Sequence, residues 1–382
     1  MLKKMKYTFC VLIAIGIIVR WIPAEAAPTE DAVAAKAALV MEMESGRVLF
    51  SQNGEERLPM ASTTKMMTAL ITLEQPDLDE PFVVDDSALR VEGSSMGLQF
   101  GDTVTLRALA AGMLLSSGND AANAAAVRIA GSTSAFAAQM NERAALMGLK
   151  DTRFANPSGL DEDGHYSTAY ELALIAKEAL INPSFRELCS SVTAQVEFGS
   201  PPYPRTLKNH NKLLTIYEGT IGVKTGFTKK AGRCLVSAAE KNGVTLICVT
   251  LSCTDDWKVH ASLYDRYFEG RANEVLTEML PEVMIPVTGG MEKAVELVAE
   301  QQLSAVLTED ERNRIKWKIY VEPFCFSPVK EGESCGKVEF FLDGERLGSV
   351  ELKAGKEIPV AQTERQGAVG FFVRLIERIR IR

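Results

Sequence analysis

The chain has 382 residues, of which 46% are hydrophobic, and a formal net charge of −8. A chain of this length can bury a large core without disulfide bonds, and its acidic balance argues against a nucleic-acid-binding protein. Its three histidines are His165, His210 and His260. They do not form a His-Glu-x-x-His pattern, so the sequence lacks this zinc-binding motif of metallohydrolases. We expect neither a metal nor another cofactor.

Residues 1–26 have the pattern of a signal peptide. Three lysines precede an apolar run from 7 to 19, and Ala24-Glu25-Ala26 provides a small-residue cleavage site. The apolar run is too short to cross a bilayer. We predict that this leader is removed during export, with a retained N-terminal anchor as the alternative.

The region 27–272 combines strand patterns with helix patterns. Apolar runs on either side of Ser45-Gly46 predict a β-hairpin. Helical periodicity dominates from 64 to about 182, and its Ala-rich stretches suit a buried helical layer. A second hairpin is predicted around Asn242-Gly243, which is a strong turn signal. This mixture agrees with an α+β domain.

Three short motifs follow one another in this region: Ser62-Thr63-Thr64-Lys65, Ser117-Gly118-Asn119 and Lys224-Thr225-Gly226. Ser-x-x-Lys alone carries little information, because it recurs at Ser327/Lys330 and Ser334/Lys337. Each motif also has a structural interpretation, as a surface pair, a helix cap or a strand end. Together and in this order they match the motif set of class A β-lactamases and penicillin-binding proteins, with Gly where that set has Asp.

The first motif has the spacing that an activated serine nucleophile needs. Ser62 and Lys65 are three residues apart, so on a helix they share one face, about 5–6 Å apart at Cβ. Pro59 and the apolar run after Lys65 predict a helix that begins just before Ser62, with its N-terminal amides facing the reacting carbon. Lys65 can accept the serine proton only if it is neutral, which requires burial or a nearby cation. Lys224 is a candidate for that cation, or for binding a substrate carboxylate.

Two further motifs are interpreted as structural. Gly93-Ser94-Ser95-Met96-Gly97 matches the G-x-S-x-G nucleophile elbow but lacks the strand before it and the helix after it, so we predict a loop. Asp161-Glu162-Asp163-Gly164-His165 suggests a cation-binding loop, but its glycine falls too early for an EF-hand. We predict a solvated turn there.

Four longer segments resemble the low-molecular-mass penicillin-binding proteins, and more narrowly the serine-type D-Ala-D-Ala carboxypeptidases of the DacF kind (peptidase family S11). They are 93–96 (GSSM), 115–121 (LSSGNDA), 156–160 (NPSGL) and 222–228 (GVKTGFT). The resemblance runs from about residue 34 to the end of the chain. It implies an α+β fold, with helices on a five-stranded antiparallel sheet built from both ends of the catalytic domain, followed by a small all-β domain.

The resemblance assigns catalytic roles to three motif residues. Ser62 attacks the penultimate D-Ala carbonyl, Lys65 accepts its proton, and Ser117 passes a proton toward the leaving amine. Its other implied residues bind substrate: Asn119 holds the substrate amide, Lys224 and Thr225 receive the terminal carboxylate, the amides of Ser62 and Phe227 stabilise the oxyanion, and Gly226 permits close approach. His210 stands where some relatives have an arginine that helps hold the carboxylate, so it is not assigned a role.

The resemblance therefore implies a D-Ala-D-Ala carboxypeptidase that trims peptidoglycan stem pentapeptides through a Ser62 acyl-enzyme and binds β-lactams such as penicillin covalently. One alternative is a β-lactamase. Gly118 and the sequence after Glu171, which lacks an Asn after Leu172, argue against it. The other alternative is a non-catalytic wall-binding protein of the same fold.

The remaining chain predicts a β domain and a membrane-binding helix. Strand patterns separated by Gly-rich turns indicate a β-sandwich over 273–365, with a spacer role in the resembled family. Residues 366–382 predict a basic amphipathic helix that lies on an anionic membrane surface. A helix packed on the β domain is the alternative. The protein would then be peripheral, on the outer face of the cytoplasmic membrane.

Six cysteines remain after the predicted leader. An exported chain can form disulfides, but Cys234 and Cys248 lie in apolar, strand-like runs. We expect buried free thiols, with disulfides as the alternative.

Overall fold

The computed structural model describes residues 32–361, so the leader predicted at 1–26 and the helix predicted at 366–382 lie outside the described residues. The described chain up to residue 268 contains the strands β1 (Ala35–Glu42), β2 (Val48–Gln52), β3 (Phe82–Val83), β4 (Thr103–Val104), β5 (Thr193–Gly199), β6 (Pro202–Lys208), β7 (Thr220–Thr228), β8 (Gly232–Lys241) and β9 (Val244–Cys253). Its helices are α1 (Lys65–Leu73), α2 (Leu106–Leu114), α3 (Asn119–Ala130), α4 (Thr133–Leu146), α5 (Ala169–Ile181), α6 (Pro183–Ser190), α7 (Leu213–Ile216) and α8 (Asp256–Phe268).

The predicted five-stranded antiparallel sheet is confirmed. Its strand order is β2-β1-β9-β8-β7, so the first and last strands of the domain meet where β1 pairs with β9. Both predicted hairpins are present, and the second turns at Asn242-Gly243, where both residues have positive φ. Because β7 ends the order, its outer edge faces no further strand of this sheet among the described residues. β7 is therefore an edge strand of this sheet, the kind of strand beside which an extended peptide can add.

Alternation along the strands separates the two faces of the sheet. Residues such as Leu39, Met41 and Val236 join the main apolar core with helices α1 to α5. Threonine hydroxyls cap two of those helices: Thr105 accepts from the Ala108 amide, and Thr168 accepts from the Glu171 amide. The helical layer that carries the first two motifs is thus fixed against one face of the sheet.

The opposite face of the sheet holds α8 through a buried polar cluster. The Ser237 hydroxyl lies 2.6 Å from both His260 Nδ1 and the Tyr264 hydroxyl, and Thr250 Oγ1 lies 2.9 Å from His260 Nε2. All four side chains are buried, so these bonds satisfy groups that water cannot reach. They connect β8 and β9 to α8.

The second described domain is all-β, as predicted. It contains β10 (Arg271–Val275), β11 (Val283–Thr288), β12 (Ala294–Ala299), β13 (Ser304–Thr308), α9 (Glu309–Asn313), β14 (Lys316–Val321), β15 (Cys325–Phe326), β16 (Ser334–Leu342) and β17 (Glu345–Ala354). Six strands form one sheet in the order β14-β16-β17-β12-β11-β15, and β10 pairs with β13. A separate apolar cluster fills this domain. The domain limits given above remain predictions.

The expected free thiols are found in the described residues. Cys189, Cys234, Cys248, Cys253 and Cys335 are buried and unbridged, and Cys325 is half-buried and unbridged. Burial raises the pKa of the Cys189 thiol to about 12 and that of Cys234 to about 11, so these groups are poor nucleophiles.

His260 should make the protein less stable as the pH falls. Burial lowers its pKa to about 3, whereas in the unfolded chain it titrates near 6.5. Between these values the unfolded state binds the proton and the folded state does not, so the free energy of unfolding should decrease as the pH falls from about 6.5 toward 3. Urea unfolding at pH 7, 6 and 5 should show this decrease. The slope should be smaller in His260→Asn than in the matched variant His210→Asn, and equal slopes would contradict the expectation.

Candidate active site

Ser62 lies on a tight turn that leads directly into α1. Residues Ala61–Thr64 form a 3₁₀ helix that continues into α1 at Lys65, so the helix predicted to begin just before Ser62 is confirmed, with a first turn that is 3₁₀ rather than α. The reason is local: the Thr63 hydroxyl donates to Met60 O at 2.6 Å and the Thr64 hydroxyl donates to Ala61 O at 2.8 Å. Such side-chain bonds to backbone carbonyls favour the tighter turn.

Lys65 is completely buried and points at the nucleophile candidate. Its Nζ donates to Ser62 Oγ at 3.0 Å, to Asn119 Oδ1 at 2.7 Å and to Ser158 O at 2.5 Å. Burial, and then the positive charge of Lys224, lower the pKa of Lys65 well below its ordinary value. Both conditions that the sequence required for a neutral lysine are therefore met.

The second motif links the two lysines. Ser117 lies two residues before α3 with a φ of +58°, and its Oγ accepts a hydrogen bond from Lys224 Nζ at 3.0 Å. Asn119 uses both ends of its amide inside the protein, because Oδ1 accepts from Lys65 and Nδ2 donates to Glu92 O at 2.6 Å. In this structure Asn119 orients Lys65, and its contact with a substrate amide stays a prediction.

The third motif lies on β7, the edge strand. Lys224 is 1% exposed, and its Nζ also donates to Thr225 O at 2.7 Å. Burial lowers the pKa of Lys224 to about 7. A Cβ at Gly226 would lie 3.0 Å from Ser62 N and 3.1 Å from Thr63 N, so glycine lets β7 pack directly against the nucleophile turn.

These motif residues meet in one groove of about 760 Å³. Ser62, Ser117, Thr225, Gly226 and Phe227 line it, whereas Lys65, Asn119 and Lys224 lie behind its surface. Phe227 is 65% exposed, so its ring borders the groove without being covered. His210 also lines the groove, and desolvation and the charge of Lys224 lower its pKa. The groove therefore brings the predicted residues together, with one deeply buried lysine bonded to Ser62 and the other to Ser117.

Asp120 is a site residue that sequence reasoning missed. Its buried carboxylate accepts bonds from the amides of Met96 and Leu98 at 2.9 and 3.0 Å and from the Ser95 hydroxyl at 2.6 Å. These bonds hold the loop predicted at 93–97, which is confirmed as a loop. In the sequence, the position of Asp120 directly after the motif residue Asn119 was the one indication that it belongs to the site.

The turn at 161–165 is only partly solvated, so the prediction for His165 is wrong. Asp161, Glu162 and Asp163 are exposed, but His165 is buried. Its Nδ1 accepts from the Ala155 amide at 3.0 Å, and its Nε2 lies 2.7 Å from Thr64 Oγ1, inside the first motif. Desolvation lowers its pKa to about 4, so a neutral His165 packs beneath the nucleophile turn.

Glu171, the residue nearest in sequence to a β-lactamase deacylation base, has a structural role. Its carboxylate accepts from the Lys150 amide at 2.7 Å, the Asp151 amide at 2.9 Å and the Thr152 hydroxyl at 2.5 Å. The side chain is buried in those contacts. It is committed to holding the loop before α5.

A family model described as D-alanyl-D-alanine carboxypeptidase, Peptidase S11, matches residues 24–255. The chain belongs to this family. A second family model, the C-terminal domain of penicillin-binding protein 5, matches residues 278–360. The resemblance seen in the sequence is thus confirmed for both domains.

Members of the Peptidase S11 family match over most of their length. The D-alanyl-D-alanine carboxypeptidase DacF of Bacillus subtilis is 31% identical over 364 residues, which cover 91% of this chain and 90% of that protein. DacC of Escherichia coli is 32% identical, over 91% of this chain and 88% of its own length. The crystal structure of penicillin binding protein 5 from Haemophilus influenzae has a TM-score of 0.71 at 26% identity, and covers 87% of this chain and 100% of that chain.

Proposed function

We propose that this family member is a serine-type D-Ala-D-Ala carboxypeptidase that removes the terminal D-alanine from peptidoglycan stem pentapeptides through a Ser62 acyl-enzyme. The observation that carries the proposal is the buried Lys65 Nζ, which lies 3.0 Å from Ser62 Oγ and has its pKa lowered by burial and by Lys224. A neutral lysine at hydrogen-bond distance is the general base that a serine nucleophile requires.

In the acylation step, Ser62 Oγ attacks the penultimate D-Ala carbonyl as its proton moves to Lys65. The amides of Ser62 and Phe227 stabilise the oxyanion, which the close approach of Gly226 to Ser62 N supports. Collapse of the tetrahedral intermediate breaks the peptide bond, and the proton reaches the leaving amine through Ser117, which Lys224 contacts. Water then hydrolyses the ester and regenerates Ser62. These steps draw on no cofactor.

Substrate binding would use the open edge of β7. An extended stem peptide adds alongside residues 222–227 as a further strand, and its terminal carboxylate comes to the Lys224 and Thr225 end of the groove. Gly226 leaves room for this peptide. Penicillin, which acylates the same serine in the proposed mechanism, would occupy the same edge.

The β-lactamase alternative finds little support. Fast deacylation needs a carboxylate free to activate water, and the oxygens of Glu171 are already bound to its own loop. A labelled-penicillin gel separates the candidates: a stable label indicates the carboxypeptidase, a transient label a β-lactamase, and no label a wall-binding protein.

The location of the protein is part of the proposal. An exported protein held at the outer face of the cytoplasmic membrane by residues 366–382 would act where peptidoglycan is exposed. Residues 32–361 contain no helix long and apolar enough to cross a membrane.

Ser62→Ala should abolish D-Ala release from a pentapeptide and covalent labelling by penicillin, because alanine lacks the hydroxyl oxygen that forms the ester. Intact-protein mass spectrometry after incubation with penicillin measures the label directly. The matched control is Ser94→Ala, the same substitution in the same groove, which should keep both activities. Labelling of Ser62→Ala near the wild-type level would refute the assignment.

Lys65→Arg should lower the rate of acylation by penicillin by about 10²- to 10⁴-fold, the usual contribution of a general base. Arginine keeps the charge but cannot give up its proton in a protein. Lys224→Arg is the matched comparison, since both lysines are buried, and it should be milder because this site needs the charge. Stopped-flow acylation rates, with thermal unfolding to confirm folding, measure both. The reverse ranking would mean that the two lysines exchange roles.

A chain that ends at Arg365 should be soluble without detergent and keep full activity on a small peptide. Phe372, Leu375, Ile376 and Ile379 each contribute about 1.5–3 kcal/mol when buried in lipid, and each nearby arginine adds about 1 kcal/mol at an anionic surface. Sedimentation with anionic vesicles measures the loss, and high salt should weaken binding of the full chain. If the shortened protein still sediments with membranes, the anchor lies elsewhere.

A further inference from the structure

The groove has a charged wall that none of the three motifs supplies. Arg233 on β8 and Asp256 at the start of α8 both line it. Arg233 is the direct cross-strand partner of Phe227, and Thr225 pairs with Leu235, so Thr225 and Arg233 are diagonal neighbours on the same face of the sheet. A guanidinium thus lies next to the Thr225 end of the groove.

Asp256 holds this guanidinium in one orientation. Arg233 Nε and Nη2 donate to the two Asp256 oxygens at 3.1 and 2.7 Å, and the guanidinium carbon lies 5.4 Å from the Trp257 ring centroid. The side chain of Asp256 is 2% exposed, whereas that of Arg233 is 40% exposed. The carboxylate is therefore the buried anchor, and Arg233, which lines the groove, uses Nε and Nη2 but not Nη1 in the pair.

Two other basic groups at this end, Lys224 and His210, are poorly suited to bind a carboxylate. Lys224 Nζ is committed to Ser117 Oγ and Thr225 O, and its pKa of about 7 leaves it only partly charged at neutral pH. His210 is neutral at that pH, because desolvation and Lys224 lower its pKa. Arginine stays charged, and its planar fork suits a carboxylate.

We infer that Arg233, oriented by Asp256, binds the carboxylate that ends the substrate peptide, and that Arg233 rather than Lys224 makes the site select substrates with a free carboxyl terminus. This inference rests on the carboxypeptidase function proposed above. Arg233 is a binding residue in it, and Asp256 is a positioning residue.

The test compares acylation by benzylpenicillin, whose carboxylate stands in for that of the peptide, with acylation by its methyl ester. Arg233→Gln should slow the reaction with benzylpenicillin by about 10- to 100-fold, the range for a hydrogen bond to a charged group, and leave the ester reaction nearly unchanged. Asp256→Asn should cause a smaller loss of the same kind. Lys212→Gln, which removes an exposed charge from the same groove, is the matched control and should keep the preference.

The pH dependence of the preference in the unaltered protein is a second readout. If Arg233 binds the carboxylate, benzylpenicillin should stay favoured over its ester from pH 6 to pH 9. A preference that disappears above about pH 7 would assign the carboxylate to Lys224 and overturn the inference.

If Arg233→Gln slows both compounds equally, Arg233 is only a structural link between β8 and α8. If it slows neither, Arg233 does not take part in substrate binding. Either result overturns the inference. Both results leave the proposed function intact, provided that the unaltered protein releases D-Ala and is labelled at Ser62. Failure of that release and labelling would instead refute the proposed function.

Discussion

The site depends on the burial of two lysine side chains within one cluster of hydrogen bonds. An isolated ammonium group is costly to remove from water, and two of them close enough to interact also repel each other. Two features offset this cost: each Nζ has close oxygen acceptors, and the pKa of each lysine is lowered. Since Lys65 feels the charge of Lys224 as well as its own burial, it is the one that the structure drives toward the neutral form.

Close backbone approach is what makes that burial possible. β7 reaches the nucleophile turn because Gly226 has no side chain, and a Cβ at Gly159 would collide with the carbonyl of Ala61. With these two glycines in place, the turn that carries Ser62 is enclosed by the edge strand on one side and by the 156–160 segment on the other. The same enclosure brings the Ser158 carbonyl to Lys65. The same close packing that encloses the Ser62 turn therefore also buries Lys65 and lowers its pKa.

The sequence predicted those parts of the molecule that have local patterns. The hairpin at Asn242-Gly243 and the three motifs could be predicted because turn chemistry and motif order are visible in short stretches, whereas the five-stranded sheet and the role of Phe227 came from the family resemblance. The Ser158 carbonyl, in contrast, has no sequence signature, since any residue supplies one. His165 was assigned to solvent for a similar reason: its neighbours Asp161 to Asp163 are exposed, and only the tertiary contact with Thr64 buries it.

The distribution of cations across the groove separates two chemical tasks. A lysine that accepts a proton must be able to lose its charge, and burial beside Lys224 gives Lys65 that property at the expense of a fixed charge. A site that binds a carboxylate needs the opposite, a charge that persists through the pH range of the reaction. Arg233 has it, and the buried Asp256 keeps its fork in place without removing it from the groove. Lys65 can therefore lose and regain its proton while, in our inference, Arg233 on β8 recognises the substrate terminus.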